Sequence, residues 1–286
     1  MSVARVAEAF ARAQAGGRAA FVPYLTAGFP DAARSLAAGL TLARHADLLE
    51  VGLPFSDPLG DGPTIQHASE VALAAGARTR DAFTLVARLR RERDVPIALM
   101  TYYNPVYAYA GPSGTGEEAF VRDAAAAGVD ALILPDLPPD EGPGLVDAAR
   151  SADVATVFLV APTSTDARLA RVTSACRGFV YAVSVTGVTG ARTALPDEVA
   201  GLVARARRAG GLPVAVGFGV AGPESAARVA AIADGVVVGS ALVERVGRMR
   251  DPEDVAELDA FAASLAAATR RGGQSERAVT TGPSAR

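Results

Sequence analysis

Pro213-Val-Ala-Val-Gly217-Phe-Gly219-Val-Ala-Gly222-Pro223-Glu-Ser-Ala-Ala-Arg-Val-Ala-Ala231-Ile-Ala-Asp-Gly235-Val-Val-Val238-Gly239-Ser240 contains one complete structural repeat. A short apolar run ends in glycine. A glycine-rich loop follows, then a helical stretch opening on proline, then a second apolar run that ends in Gly-Ser. Unbroken apolar character, in place of alternation, is what a strand covered on both faces requires. Proline at the first helical position is a helix-start signal.

The same unit recurs along the chain. Strands are expected at Ala20–Thr26, Leu48–Gly52, Ile97–Tyr102, Ala131–Pro135, Ala155–Ala161, Phe179–Val183, Pro213–Gly217 and Gly235–Val238. Between them the pattern predicts helices at Asp31–His45, Arg80–Arg93, Gly116–Ala127, Glu141–Ala152, Asp166–Cys176, Pro196–Ala209 and Pro223–Ala231. Eight strand–helix repeats in roughly 250 residues are the size of a (β/α)8 TIM barrel. A doubly wound open sheet is the alternative; it usually has fewer strands, and no G-x-G-x-x-G follows the first strand. The expected fold class is therefore α/β, a single (β/α)8 barrel. Val3–Gln14 spaces Val3, Val6, Ala7 and Phe10 as a helix face and is expected to cover the barrel floor. Pro252–Arg270 reads as a closing helix. Residues 1–270 form the expected catalytic domain, and the polar stretch 271–286 reads as a disordered tail.

Composition narrows the function. A formal net charge of -3 argues against a dedicated nucleic-acid binder. No unbroken apolar run is long enough for a membrane span, and no signal-peptide core opens the chain. A single cysteine, Cys176, excludes an internal disulfide and fits the cytoplasm. All 28 basic residues are arginine. Without a lysine amine, no Schiff base to a substrate carbonyl or to pyridoxal phosphate can form on this chain. The two histidines, His45 and His67, read as surface or packing residues, and no metal site is expected.

Barrel enzymes place their chemistry at the C-terminal strand ends and in the loops that follow. Glu50 closes the second apolar run, where burial would raise its pKa and suit it to proton transfer; a rim glutamate paired with arginine is the alternative. Asp57 and Asp61 follow in a stiff loop rich in proline and glycine, where either could be a plain turn former. The loops after the last three strands carry Val185–Gly190, Gly217–Gly222 and Gly239-Ser240. Glycines let backbone N–H groups approach an anion, and a short helix opening at Ser240 would favour negative charge at its start.

The run Leu49-Glu50-Val-Gly-Leu-Pro-Phe-Ser-Asp57-Pro58-Leu-Gly-Asp61-Gly-Pro-Thr-Ile-Gln66 resembles the signature of the tryptophan synthase alpha chain family. So do Phe21-Val-Pro-Tyr24-Leu-Thr-Ala-Gly28, Tyr181-Ala-Val-Ser-Val-Thr-Gly-Val-Thr189-Gly190, Gly217-Phe-Gly219 and Gly239-Ser240. The resemblance runs in order from Val6 to Arg270. It implies a lyase that splits indole-3-glycerol phosphate into indole and glyceraldehyde 3-phosphate. By resemblance, Glu50 shuttles the proton, Asp61 contacts the indole nitrogen and Tyr181 lies near the reacting centre. Gly190, Gly219, Gly239 and Ser240 match phosphate-holding positions. Tyr24, Met100, Phe218 and Val237 match the indole pocket, and Thr189 matches a mobile loop that closes beside the aspartate. The resemblance also implies an alpha2beta2 heterotetramer. In it a beta chain carries the pyridoxal phosphate (PLP), receives the indole, and is faced by Asp57 and Pro58.

Two other readings compete. Another phosphate-binding barrel of tryptophan biosynthesis is one: indole-3-glycerol-phosphate synthase is expected to use a lysine, absent here, and phosphoribosylanthranilate isomerase lacks the Pro-Phe-Ser-Asp-Pro loop. A non-catalytic alpha-like activator of a beta chain is the other, and the presence of both Glu50 and Asp61 speaks against it.

Overall fold

The computed structural model describes residues 2–183, 196–217 and 219–271. Eight parallel strands close into a barrel: β1 (Ala20–Thr26), β2 (Leu49–Gly52), β3 (Ile97–Met100), β4 (Ala131–Leu134), β5 (Ala155–Val160), β6 (Val180–Val183), β7 (Val214–Gly217) and β8 (Gly235–Val238). Each pairs with its sequence neighbours, and β1 closes the ring against β8, with Ala20 opposite Gly235. Nearly every strand residue is buried, which is why the runs read as continuously apolar. Several strands are shorter than expected. Leu48, Thr101, Tyr102, Pro135, Ala161, Phe179 and Pro213 fall outside them, and Pro135 and Pro213 have no N–H to donate to a ladder.

The helices are α1 (Ser2–Ala15), α2 (Ala32–Leu42), α3 (Pro63–Ala74), α4 (Thr79–Glu92), α5 (Tyr103–Tyr107), α6 (Gly116–Ala127), α7 (Pro143–Ser151), α8 (Asp166–Ala175), α9 (Pro196–Gly210), α10 (Pro223–Ile232), α11 (Ser240–Arg248) and α12 (Ala256–Ala268). Asp31 is the N-cap of α2, not part of its first turn: its carboxylate accepts the Arg34 N–H at 2.8 Å. Proline occupies the start of α3, α7 and α10, where a missing N–H costs nothing. Helix α3 has no counterpart in the expected list, because Gly62-Pro63 reads equally as the end of a turn-rich loop. The closing helix α12 is shorter than Pro252–Arg270. Apart from Arg271, the expected tail lies outside the described residues.

Helix α1 covers the floor, with Val6, Ala9, Phe10 and Ala13 buried. Ala9 takes the place expected of Ala7, which faces solvent. The Phe10 ring lies 5.0 Å from that of Phe179, and full burial of such a side chain stabilises by about 2 kcal/mol. Gly235 is glycine for a reason of space: a Cβ there would sit 2.9 Å from the Phe10 ring. With the floor sealed, access to the barrel axis is from the opposite, C-terminal end.

Candidate active site

Strand β2 aligns Glu50 with Tyr24 of β1 and Ala98 of β3, and strand alternation turns the glutamate inward. Glu50 is 1 % exposed, and among the described residues its Oε2 has no hydrogen-bond partner. Burial, then the nearby Asp61 charge, pushes its pKa up to about 8. Glu50 is thus an uncharged acid at neutral pH.

Asp61 arrives from the loop between β2 and α3. Its N–H donates to the Pro58 carbonyl at 3.1 Å, and its own carbonyl accepts from Gln66 Nε2 at 2.9 Å. Asp61 thus closes a turn that begins at Pro58, Gly62 caps α3, and the Asp61 side chain is buried. Burial raises its pKa to about 6, against a hydrogen bond from Tyr102 that lowers it. Tyr102 was not singled out in the sequence. Its hydroxyl accepts the Gly60 N–H at 2.9 Å while within hydrogen-bonding reach of Asp61, and its ring stacks 5.3 Å from Phe55. It therefore clamps the loop that carries Asp61.

Two further tyrosines flank Glu50. Each ring lies over a strand-end glycine: a Cβ on Gly52 would be 2.0 Å from the Tyr24 hydroxyl, and one on Gly217 would be 2.2 Å from that of Tyr181. Burial holds both phenols well above their ordinary pKa, so they stay protonated. Tyr24 also hydrogen bonds to Thr26 Oγ1 at 3.2 Å.

A cavity of about 440 Å³ joins these groups to the expected anion site. Its lining includes Tyr24, Glu50, Asp61, Met100, Tyr181, Gly219, Val237, Gly239 and Ser240. Gly219 adopts φ +79°, a left-handed conformation that favours glycine. Gly239 is the N-cap residue of α11, so the first N–H groups of that helix open onto the cavity. Ile65, Val220, Glu244, Arg245 and Arg248 also line it and were missed; they lie on helices or loops with no local signature of their own. Asp57 and Pro58 lie outside the cavity, Asp57 exposed and Pro58 half-buried. Thr189, Gly190 and Phe218 are outside the described residues. His45 bonds Asp259 at 2.7 Å and His67 is exposed. Among the described residues no group of three or more His, Cys, Asp or Glu could hold a metal, and no helix is long and apolar enough to cross a membrane.

A cavity holding two buried acids next to a helix N-terminus does not by itself single out one family of barrels. The family model of the tryptophan synthase alpha chain matches residues 10–270. The chain belongs to the tryptophan synthase alpha chain family. The alpha chain of Deinococcus radiodurans is 54 % identical over 271 residues, covering 94 % of this chain and 96 % of the relative. That of Phenylobacterium zucineum is 48 % identical over 284 residues, covering 98 % and 100 %. Among solved structures, a chain of Mycobacterium tuberculosis tryptophan synthase superposes with a TM-score of 0.83 at 43 % identity, covering 94 % and 99 %. The alpha chain is a lyase of tryptophan biosynthesis that cleaves indole-3-glycerol phosphate to indole and glyceraldehyde 3-phosphate. Of the barrels weighed above, the match selects the alpha chain.

Proposed function

We propose that Glu50 and Asp61 carry out this cleavage as a proton shuttle and an electrostatic partner. The observation that supports it is a buried acid, its Oε2 without a partner among the described residues, facing the cavity that Asp61 and the α11 N-terminus also line. Protonated Glu50 gives its proton to indole C3. Positive charge develops on the ring nitrogen, and the Asp61 carboxylate stabilises it. Glu50, now ionised, takes the proton of the side-chain hydroxyl. The carbonyl forms, the carbon–carbon bond breaks, and its electrons return to the ring. One proton leaves Glu50 and one returns, so the step needs neither metal nor Schiff base.

Tyr24, Met100, Phe218 and Val237 form the apolar wall for indole in this reading, with Tyr181 at the reacting centre. Gly190, Gly219, Gly239 and Ser240 hold the phosphate, and Thr189 closes beside Asp61. Tyr102 positions Asp61. Residues 1–270 act as one catalytic unit in the cytoplasm.

The partner is a PLP-bearing beta chain in an alpha2beta2 assembly that receives the indole. Asp57 and Pro58 belong to its docking face. Leu59 and Tyr107 support this: both are large apolar residues, 85 % and 68 % exposed, on segments that follow the adjacent strands β2 and β3. The test is indole release from indole-3-glycerol phosphate, with and without a beta chain. Slow release alone and faster release with the partner are expected. Full activity in Glu50→Gln would overturn the assigned role, and beta-chain activation without any indole release would favour the activator reading.

A further inference from the structure

We propose that Arg245 is a phosphate-attracting charge of this site, held on the cavity wall beside the first turn of α11. The proposal rests on the reading that Gly219, Gly239 and Ser240 hold the substrate phosphate.

Those three residues offer backbone N–H groups and one hydroxyl, but no full charge. A phosphate monoester carries about −1.5 to −2 near neutral pH, and a helix N-terminus answers it with roughly half a positive charge. Arg245 lines the same cavity. Its side chain runs back toward the start of its own helix, so that Nη1 donates to the Ala241 carbonyl at 2.7 Å. The guanidinium is fixed there by the Phe261 ring, whose centroid lies 3.4 Å away. Ordering is thus already in place before substrate arrives.

The charge is incompletely neutralised. Arg245 Nε is buried without a hydrogen-bond partner among the described residues. Its nearest carboxylate, Glu257, stands at 3.6 Å and is shared with Arg248 at 3.5 Å. Glu257 is thus divided between two arginines, and Glu244, which also lines the cavity, meets Thr64 Oγ1 at 3.5 Å and forms no ion pair with Arg245, so the wall is balanced in total charge while the Arg245 guanidinium itself stays loosely paired. A fixed charge that reaches back to Ala241, the residue after Ser240, should change phosphate binding about three- to tenfold, and less as salt rises.

The experiment measures the inhibition constant of sn-glycerol 3-phosphate, the substrate's phosphate half, against indole release. Arg245→Met keeps the packing on Phe261 and removes the charge. It should raise that constant and KM about three- to tenfold, leave kcat within about twofold, and flatten the salt dependence. Glu257→Gln removes the competing carboxylate and should lower the constant about two- to threefold, a gain that a merely structural role for Arg245 does not predict. An R245M enzyme whose constant does not rise overturns the proposal, as does an E257Q enzyme whose constant does not fall. Should R245M fail to fold, E257Q alone decides. A wild-type enzyme that releases no indole would instead sink the reading of the site.

Discussion

Glu50 and Asp61 differ in protonation at neutral pH although both are buried acids. Burial raises each, but the nearby Tyr102 hydroxyl lowers Asp61 while the Asp61 charge raises Glu50 further, whose Oε2 has no donor among the described residues. With pKa values of about 8 and about 6, the protonated Glu50 and ionised Asp61 coexist between those limits. The pair is coupled, so kcat/KM should follow a bell with its top near pH 7, falling below as Asp61 protonates and above as Glu50 ionises. A profile rising steadily through pH 8 would contradict the acid role of Glu50. Glu50→Gln should lower kcat by about 10²–10⁴ in the indole assay. In Tyr102→Phe the donor is gone, Asp61 rises further, and the acid limb should move up by about one to two pH units. Glu50 was legible because an ionisable residue interrupts an apolar run at a strand end. Tyr102 was not: it follows β3, and its meaning comes from a contact with Gly60, which no local pattern encodes.

At the scale of elements, three aspartates repeat one arrangement on the barrel floor. Asp47, Asp130 and Asp234 each precede a strand and accept an N–H from the first turns of the strand before it. The donors are Phe21, Ile97 and Val214, at 2.8, 2.9 and 2.9 Å. Each is met by arginine: Asp47 by Arg18, Asp130 by Arg5 and Arg90, Asp234 by Arg207 and Arg271. Asp130 is 2 % exposed. Asp130→Ala would leave the buried Ile97 N–H without its acceptor and Arg90 without a carboxylate, while Arg5 keeps Asp94, so a loss of about 2 kcal/mol is expected in denaturant unfolding. KM should be unchanged, since the floor is remote from the cavity; a raised KM would show that the two ends are coupled. The strands themselves were legible from their unbroken apolar runs. Their bounds were less so, because Leu48 and Phe179 are as apolar as the residues that pair. Helix α3 was hidden by its own start signal, as Gly-Pro serves turns and helices alike.

For the whole molecule, the acid that serves chemistry works against folding. The folded-state pKa of Glu50, about 8, lies above its ordinary value of 4.5. Between those values the unfolded chain is ionised and the native one is not. The contribution of Glu50 to stability is therefore fullest below about pH 4.5, falls by about 1.4 kcal/mol per pH unit up to about pH 8, and levels off beyond. Glu50→Gln lacks this decline, so thermal unfolding from pH 5 to 8 should show the variant gaining on the wild type as pH rises. A constant difference would mean that Glu50 is not buried uncharged. The closed eight-stranded architecture was legible from the count of repeats, because each strand–helix unit buries its strand between barrel axis and helix layer. The partition into a floor held by arginine–aspartate pairs and a mouth built for chemistry was not, since both ends draw on the same residue types.

The tyrosines around the cavity have a spectroscopic consequence. The chain contains no tryptophan, while Tyr24 and Tyr181 line the cavity and Tyr102 stands behind Asp61. Any indole ring held there is the sole indole fluorophore, encircled by phenols that can pass it their excitation. Its emission when tyrosine is excited would report occupancy directly, without a label, and fade as the product departs.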